Sequence, residues 1–208
     1  MITPSILSIS IDIGSRNLAV RIEQSIDSVA KCALLFDLVD LAPDNADIDI
    51  QTQRLTQYLL ARDHIFRYCS ELLVEQQRIF KRQYNNATIN IRLLQHIFGH
   101  FQMYYPYIKR IELPPTLKTP RGMTRKERKD YAVNKAFQLL QERNDLESLK
   151  VLRSCHKLDD LADTVVQLEA YRQWCNARKA QGRNTTLSKP TRGRKHNNKT
   201  HSKSKIKV

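Results

Sequence analysis

The stretch Ile6-Leu-Ser-Ile-Ser-Ile-Asp12-Ile-Gly14-Ser-Arg16-Asn17-Leu-Ala19-Val20 decides the fold. Ile6 to Ile13 is a β-rich run that ends at Gly14, and it carries an aspartate between two isoleucines. A turn at Gly14 followed by apolar Leu18 to Ile22 predicts a second strand, and Ala33 to Val39 predicts a third. The N-terminus therefore reads as a three-stranded meander. An acid inside such a pattern is costly unless something pairs with it.

Working outward, residues 42–50 are a polar connection. Leu55, Tyr58, Leu59, Ile65 and Phe66 recur at helical spacing and predict a helix from Thr52 to Ser70. Leu72 to Val74 is a brief strand running into Glu75. Asn85 and Asn86 suggest a turn, and Ala87 to Tyr104 reads as a helix with Ile91, Leu94, Ile97 and Phe101 on one side. Tyr107 to Leu113 reads as a strand stopped by Pro114 and Pro115. A basic loop, Thr116 to Arg125, precedes a helix from Lys126 to about Arg143, and a last helix runs from Leu158 to about Arg178. Early hairpins followed by crossovers predict an α/β fold with a mixed five-stranded sheet flanked by helices. The expected division is a domain over residues 1–178 and a disordered basic tail over 179–208.

Charge narrows the partners. The net charge is +14. Eleven of the 35 basic residues and none of the 21 acidic ones lie in 176–208, so 24 basic residues face 21 acidic ones elsewhere. That asymmetry is the mark of a polyanion binder. No apolar run approaches the ~20 residues of a membrane span, and no secretory signal precedes Asp12, so neither a membrane nor a secretory route is expected. Cys32, Cys69, Cys155 and Cys175 are scattered without a zinc spacing and read as reduced thiols in or near the core. Phe101, Tyr104, Tyr105 and Tyr107 are expected in the core and Trp174 as a core anchor on the last helix, while His156 reads as a loop histidine.

Four further positions carry chemistry. Asp12 lies in a strand, Glu75 ends one, and Asp160 and Asp163 share one face at the start of the last helix. No arginine or lysine stands beside Asp12 or Glu75 on the same strand face. Each acid alone could be a strand terminus or an N-cap. Asp159 with Asp163 shares a helical face as well, so which of Asp159 and Asp160 belongs to the set is open.

Three segments together carry a resemblance. Ser10-Ile-Asp12-Ile-Gly14-Ser-Arg16-Asn17-Leu-Ala19, Val74-Glu75-Gln76-Gln77 and Lys157-Leu-Asp159-Asp160-Leu-Ala-Asp163-Thr164, with Gln167 one turn on, resemble in order the motifs of the poxvirus, large-DNA-virus and fungal mitochondrial Holliday junction resolvases, relatives of bacterial RuvC. The resemblance implies a ribonuclease H-like fold and metal-dependent cleavage of branched DNA by a homodimer making paired symmetric nicks, with no small-molecule substrate. It implies that Asp12, Glu75, Asp160 and Asp163 hold two Mg²⁺ or Mn²⁺ ions, which oxygen ligands suit. It also implies a basic catalytic residue after the fifth strand: Lys118 first, Lys129 second. The dimer would form through the helix Ala87 to Tyr104, whose apolar residues serve a monomer core equally well. The first motif has a form that looks viral or mitochondrial, and a large DNA virus implies a cytoplasmic viral factory or the host nucleus.

Arg16, Gln76, Arg78, Lys81, Lys126 and Lys129 are candidate DNA contacts, and Phe80 between basic residues could wedge at a branch point. Competing readings are a nuclease of flaps or RNA–DNA hybrids and a non-catalytic basic DNA-binding protein. An actin-like or sugar-kinase ATPase also opens on an Asp-x-Gly turn, but it needs a second such subdomain, for which this chain is too short.

Overall fold

The computed structural model describes residues 5–43, 46–77 and 84–182. The candidate contacts Arg78, Phe80 and Lys81, and the basic tail from residue 183 on, lie outside the described residues.

Strands β1 (Ile6–Ile13), β2 (Asn17–Ile26) and β3 (Val29–Asp40) form the meander, and β4 (Glu71–Glu75) and β5 (Lys109–Leu113) complete a five-stranded sheet in the order β3-β2-β1-β4-β5. β1 is antiparallel to β2 and parallel to β4, and β4 is parallel to β5, so the sheet is mixed as expected. β2 and β3 run longer than their apolar residues suggest. Asp27 and Ser28 join them with φ of 53° and 60°. Positive φ at both positions matches the twist of the flanking strands and prolongs the hairpin.

Alternation along β1 sorts two faces. Ile9, Ile11 and Ile13 pack with Leu55, Leu59, Leu93, Ile97 and Phe101 under α1 (Ile48–Ala61), α2 (Asp63–Phe66) and α3 (Tyr84–Tyr104). On the other face α4 (Arg125–Glu142), α5 (Leu146–Ser154) and α6 (Leu158–Ala180) pack over two apolar clusters: one around Ala19, Ala136, Leu140 and Val165, the other around Leu73, Ile111 and Leu168. Each such side chain taken fully from water contributes about 1.5–3 kcal/mol. No helix among the described residues is long and apolar enough to cross a membrane.

Several elements differ from expectation. The helix expected over Thr52 to Ser70 starts earlier, because the Asp47 side chain accepts the N–H groups of Asp49 and Ile50, and it breaks at Arg62. Asn85 and Asn86 lie inside α3 rather than in a turn. β5 starts two residues after Tyr107, and a reciprocal cap between Thr124 and Glu127 starts α4 at Arg125. α5 was not expected at all; Asp145 caps it by accepting from the Ser148 N–H. Of the tyrosines placed in the core, Tyr105 is buried, with its hydroxyl on Asp63 (2.5 Å), whereas Tyr104 and Tyr107 are exposed. Tyr107 donates to the Arg67 carbonyl (2.7 Å), which keeps its polar end at the surface. Trp174 is half-buried, stacked 6.1 Å from Tyr171, with Arg178 over its ring. The four cysteines are free; Cys69 is buried and Cys32 is exposed on β3.

Candidate active site

β1 and β4 are adjacent and parallel, so their carboxyl ends open on the same edge of the sheet. That edge is where open α/β sheets bind ligands. Asp12 is the penultimate residue of β1 and Glu75 the last of β4. β5 ends on the same edge, and a 3-10 turn (Pro115–Leu117) carries the chain from it to Lys118. α6 enters over this edge with Asp160 and Asp163 in its first two turns.

These elements bring Asp12, Glu75, Asp160 and Asp163 within each other's electrostatic reach around one lysine. The Lys118 ammonium lies 2.5 Å from Glu75 Oε2 and 3.1 Å from Asp163 Oδ1, and its side chain is 6% exposed. Glu75 thus has a basic partner after all; it comes from the β5–α4 connection, not from a neighbouring strand position. Burial pushes the Asp12 carboxyl well above the usual carboxylate range, and the charge of Asp163 adds to this. Lys118 offsets part of that shift, while Glu75 and Asp160 increase it. Burial likewise raises Asp163 against the lowering effect of Lys118. Burial opposes the charge of Lys118 itself, but Asp163, Glu75 and Asp12 outweigh it and hold the ammonium above its usual range.

Asp159 and Asp160 part company. Asp159 is ion-paired with Lys129 on α4, and although burial raises its carboxyl, that contact brings it below the usual value. Asp160 faces the other acids and accepts from Asn17 Nδ2 at 3.1 Å. Asn17 stands in the first motif, but sequence reasoning gave it no role; its position at the start of β2, opposite the end of β1, was the available signal. Lys129 is engaged with Asp159 and stands outside the cluster.

The other candidate contacts among the described residues are exposed. Arg16, exposed in the β1–β2 turn, is paired with Asp40 at 2.8 Å. Gln76 is exposed, its backbone N–H on the Leu113 carbonyl. Arg121, Arg125, Lys126, Arg128 and Lys129 are all exposed at the start of α4, on the segment that follows Lys118.

Four carboxylates against one ammonium leave excess negative charge, and hard oxygen donors of this kind fit Mg²⁺ or Mn²⁺. As the side chains stand, no three Asp, Glu, His or Cys among the described residues form a ready-made ligand group. Lys118 bridges Glu75 and Asp163 instead, so a cation held by these acids would displace its ammonium.

No family model and no curated protein matches this chain. Its fold is similar to that of Thermus thermophilus RuvC in complex with Holliday junction substrate, at 16% identity and a TM-score of 0.59 over 83% of this chain and 96% of that one. A second Thermus thermophilus RuvC structure matches at 14% identity and a TM-score of 0.57, over 84% of this chain and 96% of that one. The yeast mitochondrial Holliday junction resolvase matches at 16% identity and a TM-score of 0.57, over 86% and 83% of the two chains. These likenesses are to bacterial and mitochondrial proteins and show the fold; they do not show a poxvirus type. The chain has the RuvC-like, ribonuclease H-like fold.

Proposed function

We propose that the protein is a metal-dependent endonuclease that resolves four-way and other branched DNA junctions by paired nicks, acting as a homodimer. The observation that carries this is the excess of carboxylate at the carboxyl edge of β1 and β4, in a chain of net charge +14. Unpaired acids facing DNA repel phosphate unless cations neutralise them. Asp12, Glu75, Asp160 and Asp163 would hold Mg²⁺ or Mn²⁺, which supplies water activation and charge neutralisation at the scissile phosphate.

This chain's own residues do the rest. Asn17 fixes the Asp160 carboxylate from the β1–β2 turn. Lys118, displaced from Glu75 and Asp163, is close enough to meet a phosphate oxygen while remaining charged. The exposed cations from Arg121 to Lys129 would hold the DNA backbone beside the acids, and exposed Arg16 and Gln76 would contact it as well. A two-fold dimer suits the symmetry of a four-way junction and places one such site on each of two opposing strands.

The test is cleavage of a labelled four-way junction with Mg²⁺ or Mn²⁺, beside linear duplex, flap and RNA–DNA hybrid. Symmetric paired nicks confined to the junction are expected, with Asp12→Asn and Asp163→Asn each lowering the rate at least about 10³-fold. Equal cutting of flaps or hybrids would leave a less selective nuclease. Tight junction binding without cutting under either metal would sink the catalytic reading.

A further inference from the structure

α6 lies along β1 so that residues four apart on one helical face step down the strand. At one end Asp163 meets Asp12. Two turns further the Tyr171 hydroxyl donates to Glu71 Oε1 at 2.9 Å, and the Ser8 hydroxyl donates to Glu71 Oε2 at 3.0 Å. Interpolating between these contacts, four residues along α6 from Asp163 and two along β1 from Asp12, puts Gln167 over Ser10. Both are 0% exposed.

The Ser10 hydroxyl and both ends of the Gln167 carboxamide have no hydrogen-bond partner among the described residues. Three orphaned polar atoms on two buried residues are unusual in a protein interior. They are flanked by the apolar clusters on either side, yet they line up with the acids rather than with those clusters. A buried water needs two to four polar partners and a polar niche. A hydroxyl, an amide N–H₂, an amide oxygen and a nearby carboxylate provide them.

We propose that Ser10 and Gln167 hold one buried water that hydrogen-bonds onward to Asp12 and Asp163 and orients these carboxylates for the divalent cation. The inference rests on the metal-dependent reading of the site. Gln167 and Ser10 are positioning residues; neither reaches the cation or the DNA. Groups that orient metal ligands from behind typically shift affinity by about 10–100-fold when removed.

The test uses the full chain, with Mn²⁺ binding followed by electron paramagnetic resonance and thermal unfolding measured without metal. Gln167→Met replaces the carboxamide by an apolar side chain of similar length. It is expected to leave the metal-free Tm unchanged or raised while weakening Mn²⁺ binding about 10-fold or more. Ser10→Ala should weaken binding in the same direction, Ser10→Thr should restore it, and the double variant should bind no worse than Gln167→Met, because both remove one shared water. Wild-type Mn²⁺ affinity in Gln167→Met, or additive losses in the double variant, would overturn the positioning role alone. Absence of Mn²⁺ binding in the wild-type chain would overturn that role together with the metal reading. Should Gln167→Met fail to fold, the Ser10→Ala and Ser10→Thr pair, which changes only one small side chain, decides the matter.

Discussion

Two groups of charged side chains lie under α6, on the same face of the sheet, and they are built on opposite principles. Beside β2, Arg21, Arg143 and Arg172 meet Glu23, Asp145 and Glu169, three cations to three anions. Arg21 and Glu23 are 1% exposed and 2.9 Å apart, and the Arg21 guanidinium also donates to Ser148 at 2.9 Å and lies over the Phe36 ring. At the end of β1 four acids share one lysine. A balanced cluster is satisfied as it stands and ties β2, α4, α5 and α6 together. The unbalanced one carries an excess of carboxylate that protons or a metal cation can neutralise, and the proposed function rests on it.

The largest expected effect tests the balanced side. Glu23 receives all three arginines, so Glu23→Ala leaves two buried guanidinium groups, Arg21 and Arg172, and the part-buried one of Arg143 short of charge. Breaking such a network from one side costs about 3–5 kcal/mol. Urea unfolding of the metal-free chain should show this loss, and saturating Mn²⁺ should not reduce it, since the defect lies away from the acids. A loss under about 1 kcal/mol, as for an exposed pair, would erase the distinction between the two groups.

Lys118 gives the corresponding test of the unbalanced side. Lys118→Met removes the one ammonium that, among the described residues, stands between these carboxylates. The cost should be smaller, about 1–3 kcal/mol, because the acids can take up protons. Here Mn²⁺ should restore most of the loss, by supplying the charge that the lysine supplied. Calorimetry of wild type and variant, with and without Mn²⁺, reads both quantities. A loss that Mn²⁺ leaves untouched would mean that Lys118 is a structural ion pair like those beside β2.

Much of this was legible in the sequence, for a local reason. Asp12 interrupts an apolar alternation, so its inward position on β1 can be seen within eight residues, and Glu75 ends a run of three buried apolar residues. Asp160 and Asp163 share a helical face by spacing alone. The length of the β2–β3 hairpin was not legible, because Asp27 and Ser28 adopt positive φ without a glycine to announce it. α5 is nine residues long and escaped notice, although Leu146, Leu149 and Leu152 repeat at helical spacing. The Lys118 contacts and the pairing of Arg21 with Asp145 and of Glu23 with Arg143 and Arg172 join residues more than forty positions apart, which no local pattern encodes. For the same reason the separate fates of Asp159 and Asp160 were undecidable: their difference lies in what Lys129 and Asn17 do.

The smallest effect has the opposite sign and is the sharpest separator. In the metal-free chain Asp12 and Asp163 have carboxyls raised above their unfolded values. An acid with a raised folded pKa binds protons more readily when folded. Its contribution to stability is therefore complete below the unfolded value and is lost as pH rises through the folded one. Glu169 and Asp145 are lowered, where hydrogen bonds and charges of the arginine network outweigh a burial effect that would raise them. Their contribution is complete above the unfolded value and is lost only as pH falls through the folded one. The two windows lie on opposite sides of the ordinary carboxylate range, where they meet. Mild acidification from neutral pH should first raise the Tm of the metal-free protein, and only stronger acid, below about pH 4, should lower it. Asp12→Asn should raise the Tm at pH 7 and flatten the rise on mild acidification, while leaving the acid limb where it was. A variant that lost stability at neutral pH, or an acid limb that moved with it, would show that Asp12 is held by the fold in the way Glu23 is, and the contrast between the two groups would fail.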